Sequence, residues 1–280
     1  MFVELFTDWS FWQIHASVTM ALIAWYTLTA GGLWLLMYSP YSDKRLSTNY
    51  LTRQPKASDE TPQQVGVTSV TDSTQLLMSV PEDLTVRASK TLQSAYSQYY
   101  DGVISCLASA INISLPCYLS LHGYGQLYYS ATDMSLLQHL LSAVVVILVT
   151  EVFEFGYHYL SHHNRYLMKF HMRHHKYHHP TPLTVLSDDP VDAWVKSSPL
   201  LWLPLLLPIY DGVIFLWYTL VIYIYGIYIH CGVDIPLIDP HSKVFISSWH
   251  HNSHHRNKPN SNFGFYTRWL DYLCGTAYDG

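Results

Sequence analysis

The chain holds 280 residues, 49% of them hydrophobic and only 12% charged, against about 25% charged in an ordinary soluble domain. Aromatic residues reach 15%, with 23 tyrosines and 9 tryptophans, side chains that settle where lipid meets water. The net charge of −5 excludes the basic excess of a nucleic-acid-binding domain. The scattered cysteines Cys106, Cys117, Cys231 and Cys274 form no Cys-x-x-Cys pair and indicate no disulfide framework.

The N-terminal charges are acidic, Glu4 and Asp8. The apolar stretch from His15 to Tyr38 exceeds the roughly 7–15 residues of a signal-peptide core, so it is expected to be a first transmembrane helix. Ser39 to Tyr99 is polar and rich in Ser, Thr and Gln, which predicts a surface excursion, partly disordered. Val103 to Leu121 is apolar but contains Asn112 and Pro116, which predicts a kinked or re-entrant segment. Leu136 to Leu160 reads as a strong membrane helix. Leu200 to Ile209 and Val213 to Ile229 read as a hairpin dipping into the bilayer, with Asp211-Gly212 as its turn. The expected fold is therefore all-α, a membrane helical bundle of about 4–5 segments. Residues 1–135 would form the N-terminal membrane part with the polar loop, and residues 136–280 a catalytic domain.

All 15 Lys and Arg residues fall within Lys44–Lys90, Arg165–Lys196 and Lys243–Arg268. With helices as above, these regions share one side of the membrane, which the positive-inside rule makes cytosolic.

Histidine is the outlier: 14 of the 17 lie between His158 and His255. They form HYLSH at His158–His162, HMRHH at His171–His175 and HNSHH at His251–His255, with His230 alone at the end of an apolar stretch. A helix puts positions i, i+3 and i+4 on one face. His158 with His162, the stripe His171, His174, His175 and His178, and the trio His251, His254 and His255 each fit such a face. Imidazole suits iron, copper and zinc, and so many donors exceed the needs of one ion, which indicates two metals. The bland alternative is a set of solvent-facing histidines on juxtamembrane helices. A rival function is zinc binding or zinc transport, although zinc carriers place their ligands within the membrane and these histidines lie mostly between helices. Glu151 and Glu154 precede His158 in an apolar helix, where a carboxylate is costly unless paired. Glu151 is expected to orient a ligand histidine; for Glu154 a satisfied buried acid is an equal possibility.

The three motifs, in this order, resemble the fatty acid hydroxylase superfamily, which includes sterol desaturases, sterol 4-methyl oxidases, cholesterol 25-hydroxylase and fatty-acid hydroxylases. The resemblance runs from Leu136 to Thr276. HCGVDIP at His230–Pro236 is similar to sterol 4-methyl oxidases, PTPLTVLSDDPVDAW at Pro180–Trp194 to sterol desaturases, and NFGFYTRWLDYLCGT at Asn262–Thr276 to the family's closing segment. Tyr159 stands where the family usually has Arg, and Glu151 where it usually has Asp. The resemblance implies an oxidoreductase with two iron ions that activate O2 against a C–H bond of a sterol or fatty-acyl lipid, by hydroxylation or desaturation. It implies His158, His162, His171, His174, His175, His230, His251, His254 and His255 as metal ligands, with Glu151 and His230 also in catalytic roles. It further implies electrons from cytochrome b5 or a reductase, and residence in the endoplasmic reticulum membrane with the histidines facing the cytosol. A catalytically dead relative is a third reading, against which the intact clusters argue.

Overall fold

The computed structural model describes residues 6–38, 82–130, 132–178, 180–216, 223–232, 238–256 and 258–279. Most of the expected polar excursion, and part of the HCGVDIP stretch, lie outside them.

Helix α1 (Phe11–Tyr26) begins at a capping box. Ser10 Oγ accepts from the Gln13 amide at 3.4 Å, and Gln13 Oε1 accepts from the Ser10 amide at 2.9 Å, so two otherwise orphaned donors are satisfied. A π-helical turn at Thr27–Gly31 leads into α2 (Gly32–Tyr38). Together they form an apolar run, Phe11–Tyr38, long enough to cross a bilayer.

Helix α3 (Glu82–Leu121) is helical already from Glu82, within the stretch read as an excursion, and runs on through Pro116 rather than turning back there. The reason is tertiary. Three polar residues of α3, Gln98, Ser105 and Asn112, are paired with other segments: Thr181 Oγ1 donates to Gln98 Oε1 at 2.6 Å, and Ser105 Oγ donates to the Asp188 carbonyl at 2.9 Å. Asn112 donates to Trp194 O at 2.9 Å and accepts from Trp202 Nε1 at 3.0 Å. A polar side chain paired in this way no longer carries the penalty of unpaired burial. The apolar span is Gln93–Leu121.

Helix α4 (Leu136–His163) opens with a second capping box, Ser135 with Gln138. Leu137, Leu141, Val144, Leu148 and Val152 point outward, while Val146, Thr150, Glu151 and Phe155 are buried. Asn164 is extended and caps α5 (Arg165–His171) by accepting from Tyr166 N at 2.9 Å and Leu167 N at 3.3 Å. That break turns α5 back on α4.

Asp189 caps α6 (Pro190–Leu206), with Pro190 at the first helical position, where a missing N–H costs nothing. After α6, β2 (Ile209–Tyr210) pairs in parallel with β1 (Leu127–Tyr128). Asp211-Gly212 is not the turn but the start of α7 (Asp211–Leu216). The first arm of the expected hairpin begins at Pro190 rather than Leu200, and residues 217–222 of the second arm are not described. Three short helices follow: α8 (Gly226–His230), α9 (Ser248–Arg256) and α10 (Trp269–Cys274). Among the described residues three helices have the length and composition to cross a membrane.

A core of Tyr26, Ala30, Trp34, Ala95, Cys106, Leu183, Val185, Tyr223 and Ile227 ties α1 to α3 and α8.

Candidate metal centre

The structure brings together the nine histidines that the resemblance implies as ligands, but divides them in a way the motifs do not show. His158, His162, His171, His175 and His254 form one group, and His174, His230, His251 and His255 the other; within each group one ring nitrogen per residue lies within 4.8 Å of all the rest. His178 is exposed and belongs to neither.

The expected helical stripe from His171 to His178 does not form. Helix α5 ends at His171, and His174–Lys176 make a tight 3-10 turn. That turn sends His175 back to His171 and throws His174 to the other group. Helix α9 divides its histidines likewise, because adjacent helical positions point about 100° apart. His250, beside them, joins neither group: its Nδ1 accepts from the Ser247 amide at 3.1 Å, and the His250 amide donates to Ser247 Oγ at 3.4 Å, a reciprocal cap for α9.

In the four-histidine group the Nε2 atoms form a closed ring. His230–His174 is 3.3 Å, His174–His255 3.1 Å, His255–His251 3.0 Å and His251–His230 3.0 Å. The centre of such a ring lies roughly 2.2 Å from each nitrogen, close to the 2.0–2.1 Å of a metal–imidazole bond. In the five-histidine group, Nε2 of His254 is 3.0 Å from that of His158 and 3.1 Å from that of His175, which is 3.0 Å from His162 and 3.2 Å from His171.

The outer ring nitrogens decide what these contacts are. His158 Nδ1 is 3.0 Å from the Phe263 carbonyl, His254 Nδ1 2.8 Å from the Ser261 carbonyl and His230 Nδ1 2.7 Å from the Gly226 carbonyl. His171 Nδ1 is 3.2 Å from Asp192 Oδ2, and His174 Nδ1 is 2.9 Å from Asp188 Oδ1. Carbonyls and carboxylates only accept, so the Nδ1 atoms of His158, His171, His230 and His254 carry the proton and their Nε2 atoms are bare. The His158–His254 contact therefore sets lone pair against lone pair, an arrangement a cation would relieve. Burial first, then neighbouring positive charge, holds His174, His175, His251, His254 and His255 well below the usual imidazole range, leaving them neutral donors at pH 7. The residues present thus fit two metal ions.

Glu151 does not orient a histidine, contrary to expectation. Its Oε1 accepts from the amide of Thr267 at 3.1 Å and from the Thr267 hydroxyl, pinning the closing segment to α4. The acids on the histidines are Asp188 and Asp192, which the sequence reading did not nominate. Asp192 Oδ1 also accepts from Tyr157 OH at 2.6 Å, and Lys196 pairs with both aspartates. Burial draws the Lys196 ammonium down, but the charges of Asp188, Asp192 and Glu154 outweigh it and hold it above its ordinary value. A signal was available: Asp188, Asp192 and Lys196 recur every four residues.

Asp101 of α3 accepts from Arg173 at 2.7 Å, Lys176 at 3.2 Å and Tyr177 OH at 2.8 Å, fixing both ends of the His174–His175 turn. Phe263 is fully buried and sets its ring against His158, His162 and His254, with centroids 5.3, 5.3 and 5.5 Å away. It forms an apolar wall over the five-histidine group.

Residues 143–276 match the family model described as fatty acid hydroxylase. A curated relative, a Delta(7)-sterol 5(6)-desaturase of Gibberella zeae, is 26% identical over 166 residues, covering 59% of this chain and 50% of the relative. The chain thus spans about half the length of the curated relative it matches. No solved structure matches it significantly.

Proposed function

We propose, from the premise that residues 143–276 belong to the fatty acid hydroxylase superfamily, that this membrane protein is a lipid oxidoreductase whose two histidine groups hold a pair of iron ions and use O2 to hydroxylate or desaturate a sterol or fatty-acyl chain. The observation that carries the metal reading is the convergence of ring nitrogens in two groups, five in one and four in the other.

In this reading His158, His162, His171, His175 and His254 hold one iron, and His174, His230, His251 and His255 the other. The bound irons supply activation of O2 and removal of hydrogen from an unreactive C–H bond. The chain's share is placement and shielding. The Phe263 and Ser261 carbonyls, Asp192 and Gly226 O fix the ring orientations, as outer partners do in metal sites generally, and Asp188 stands 2.9 Å from His174 Nδ1. Phe155, Phe263, Leu270 and Tyr159 pack together beside the five-histidine group and keep water from it. The neighbouring apolar face of α4 offers a lipid an approach from the bilayer. The sterol side is favoured, since the relative's name is that of a sterol desaturase. Electrons would come from cytochrome b5 or a reductase. The side of the membrane that carries the Lys and Arg residues would be the cytosol, with the endoplasmic reticulum as the compartment.

The test is lipid mass spectrometry under 18O2 on cells expressing the chain or its His174→Ala variant. A product with one heavy oxygen, absent from the variant, makes it a hydroxylase. An unlabelled product two hydrogens lighter makes it a desaturase. Neither product, together with zinc rather than iron in the purified protein, would favour a zinc-binding or zinc-transporting membrane protein instead.

A further inference from the structure

One ammonium group stands between the two histidine groups. Lys196 Nζ lies 2.7 Å from Asp188 Oδ1 and 3.4 Å from Asp192 Oδ2. The same two oxygens each face an imidazole: Asp188 Oδ1 is 2.9 Å from His174 Nδ1, and Asp192 Oδ2 is 3.2 Å from His171 Nδ1. His174 belongs to the four-histidine group and His171 to the five-histidine group. We propose that Lys196 is a positioning residue for both metal centres at once, acting on one through Asp188 and His174 and on the other through Asp192 and His171. The inference rests on the reading of the two groups as metal centres.

The physical case is the shared carboxylate oxygen, which stands between the ammonium and an imidazole Nδ1 in each aspartate. Both aspartate side chains are almost fully buried, at 4% and 0% exposure, and two buried carboxylates so close together need a cation between them. Lys196 supplies it from the same helical stretch, one turn beyond Asp192, and Tyr157 OH holds the second oxygen of Asp192. Asp192 is hydrogen-bonded to the imidazole of His171, and Asp188 stands in ion-pair contact with that of His174. Without the ammonium the two acids repel, and the imidazole partners that depend on them lose their aim together. An ordinary structural ion pair would touch one element or one centre. This one has a ligand of each centre at either end.

The experiment uses single-centre variants of the full chain in detergent, titrated with Co2+ and followed by its visible ligand-field absorption. His255→Ala leaves the five-histidine group, and His254→Ala leaves the four-histidine group. Lys196→Met is then added to each. The expected result is Co2+ affinity weakened about 10–100-fold in both backgrounds, the range that loss of an outer partner costs, with an altered spectrum. Asp192→Asn should weaken only the His255→Ala background, and Asp188→Asn only the His254→Ala background. Should Lys196→Met fail to fold, Lys196→Gln, which removes the charge but keeps a donor, is read the same way. Unchanged affinity at either centre in a folded Lys196 variant overturns the inference while the metal reading stands. Failure of both single-centre parents to bind Co2+ overturns the metal reading, and the inference with it.

Discussion

His254 and His255 are adjacent in sequence, yet their imidazoles serve different centres: His254 Nε2 is 3.1 Å from His175 Nε2, and His255 Nε2 is 3.1 Å from His174 Nε2. The neighbours His174 and His175 are parted in the same way. Each His-His pair thus feeds both groups, and the two centres share their supporting segments.

Because the neighbours part, single substitutions should separate the centres. His254→Ala and His255→Ala are each expected to retain about one metal per chain where the parent holds two, and each to lose at least about 100-fold in product formation, beyond the 10–100-fold typical of losing an outer partner. Elemental analysis of the purified proteins checks the first expectation and lipid product analysis the second. Loss of both metals in either variant would contradict the division.

Asp101 gathers Arg173, Lys176 and Tyr177 around the turn that carries His174 and His175. Its partners Arg173 and Lys176 are 31% and 51% exposed, so they can return to water when the acid is lost. Asp101→Ala is therefore expected to cost about 1–3 kcal/mol rather than the larger penalty of a fully buried broken pair. It should also lower metal content, because the turn is released. Thermal unfolding in detergent, with metal analysis of the same sample, checks both.

Gly264 sits between Phe263, which walls the five-histidine group, and the Thr267 that holds Glu151. A Cβ at Gly264 would collide with the Thr267 backbone carbonyl and with Asp271 Oδ2, and the Asp271 carboxylate cannot move without disturbing its bonds to Phe263 N and Gly264 N. Gly264→Ala is expected to destabilise by about 1–3 kcal/mol, as overpacking does, and to reduce metal content. A melting temperature equal to the parent's would refute this.

The neutral, buried histidines set a pH dependence for the metal-free protein. His174, His175, His251, His254 and His255 are held far below 6.5 when folded, while in the unfolded chain they titrate near 6.5. Below that pH the unfolded state binds more protons, so stability is full above about 6.5 and falls as the pH drops, by up to about 1.4 kcal/mol per unit for each histidine. Melting curves of chelator-treated protein from pH 8 to pH 5 should show this fall, shallower in His254→Ala. A flat profile would show that the rings are not buried as neutral groups.

Composition and motif spacing alone made the membrane helices, the all-helical class and the identity of all the gathered histidines legible, because hydrophobic length and imidazole clustering are local properties of the chain. Spacing also suggested which residues would meet, and there it reached its limit. It held for His158 and His162, which one helix presents together, and failed for His171 to His178, where Asn164 and a tight turn replace the helix. It missed the early start of α3, since Gln98, Ser105 and Asn112 are tolerated only through partners some 80 residues away in the chain. It assigned Glu151 to a histidine, whereas Glu151 accepts from Thr267. Only the tertiary structure divided the histidines between two centres and set Lys196 across Asp188 and Asp192. A ring's aim depends on what its far nitrogen bonds to, and those carbonyls and carboxylates come from segments brought together only by folding.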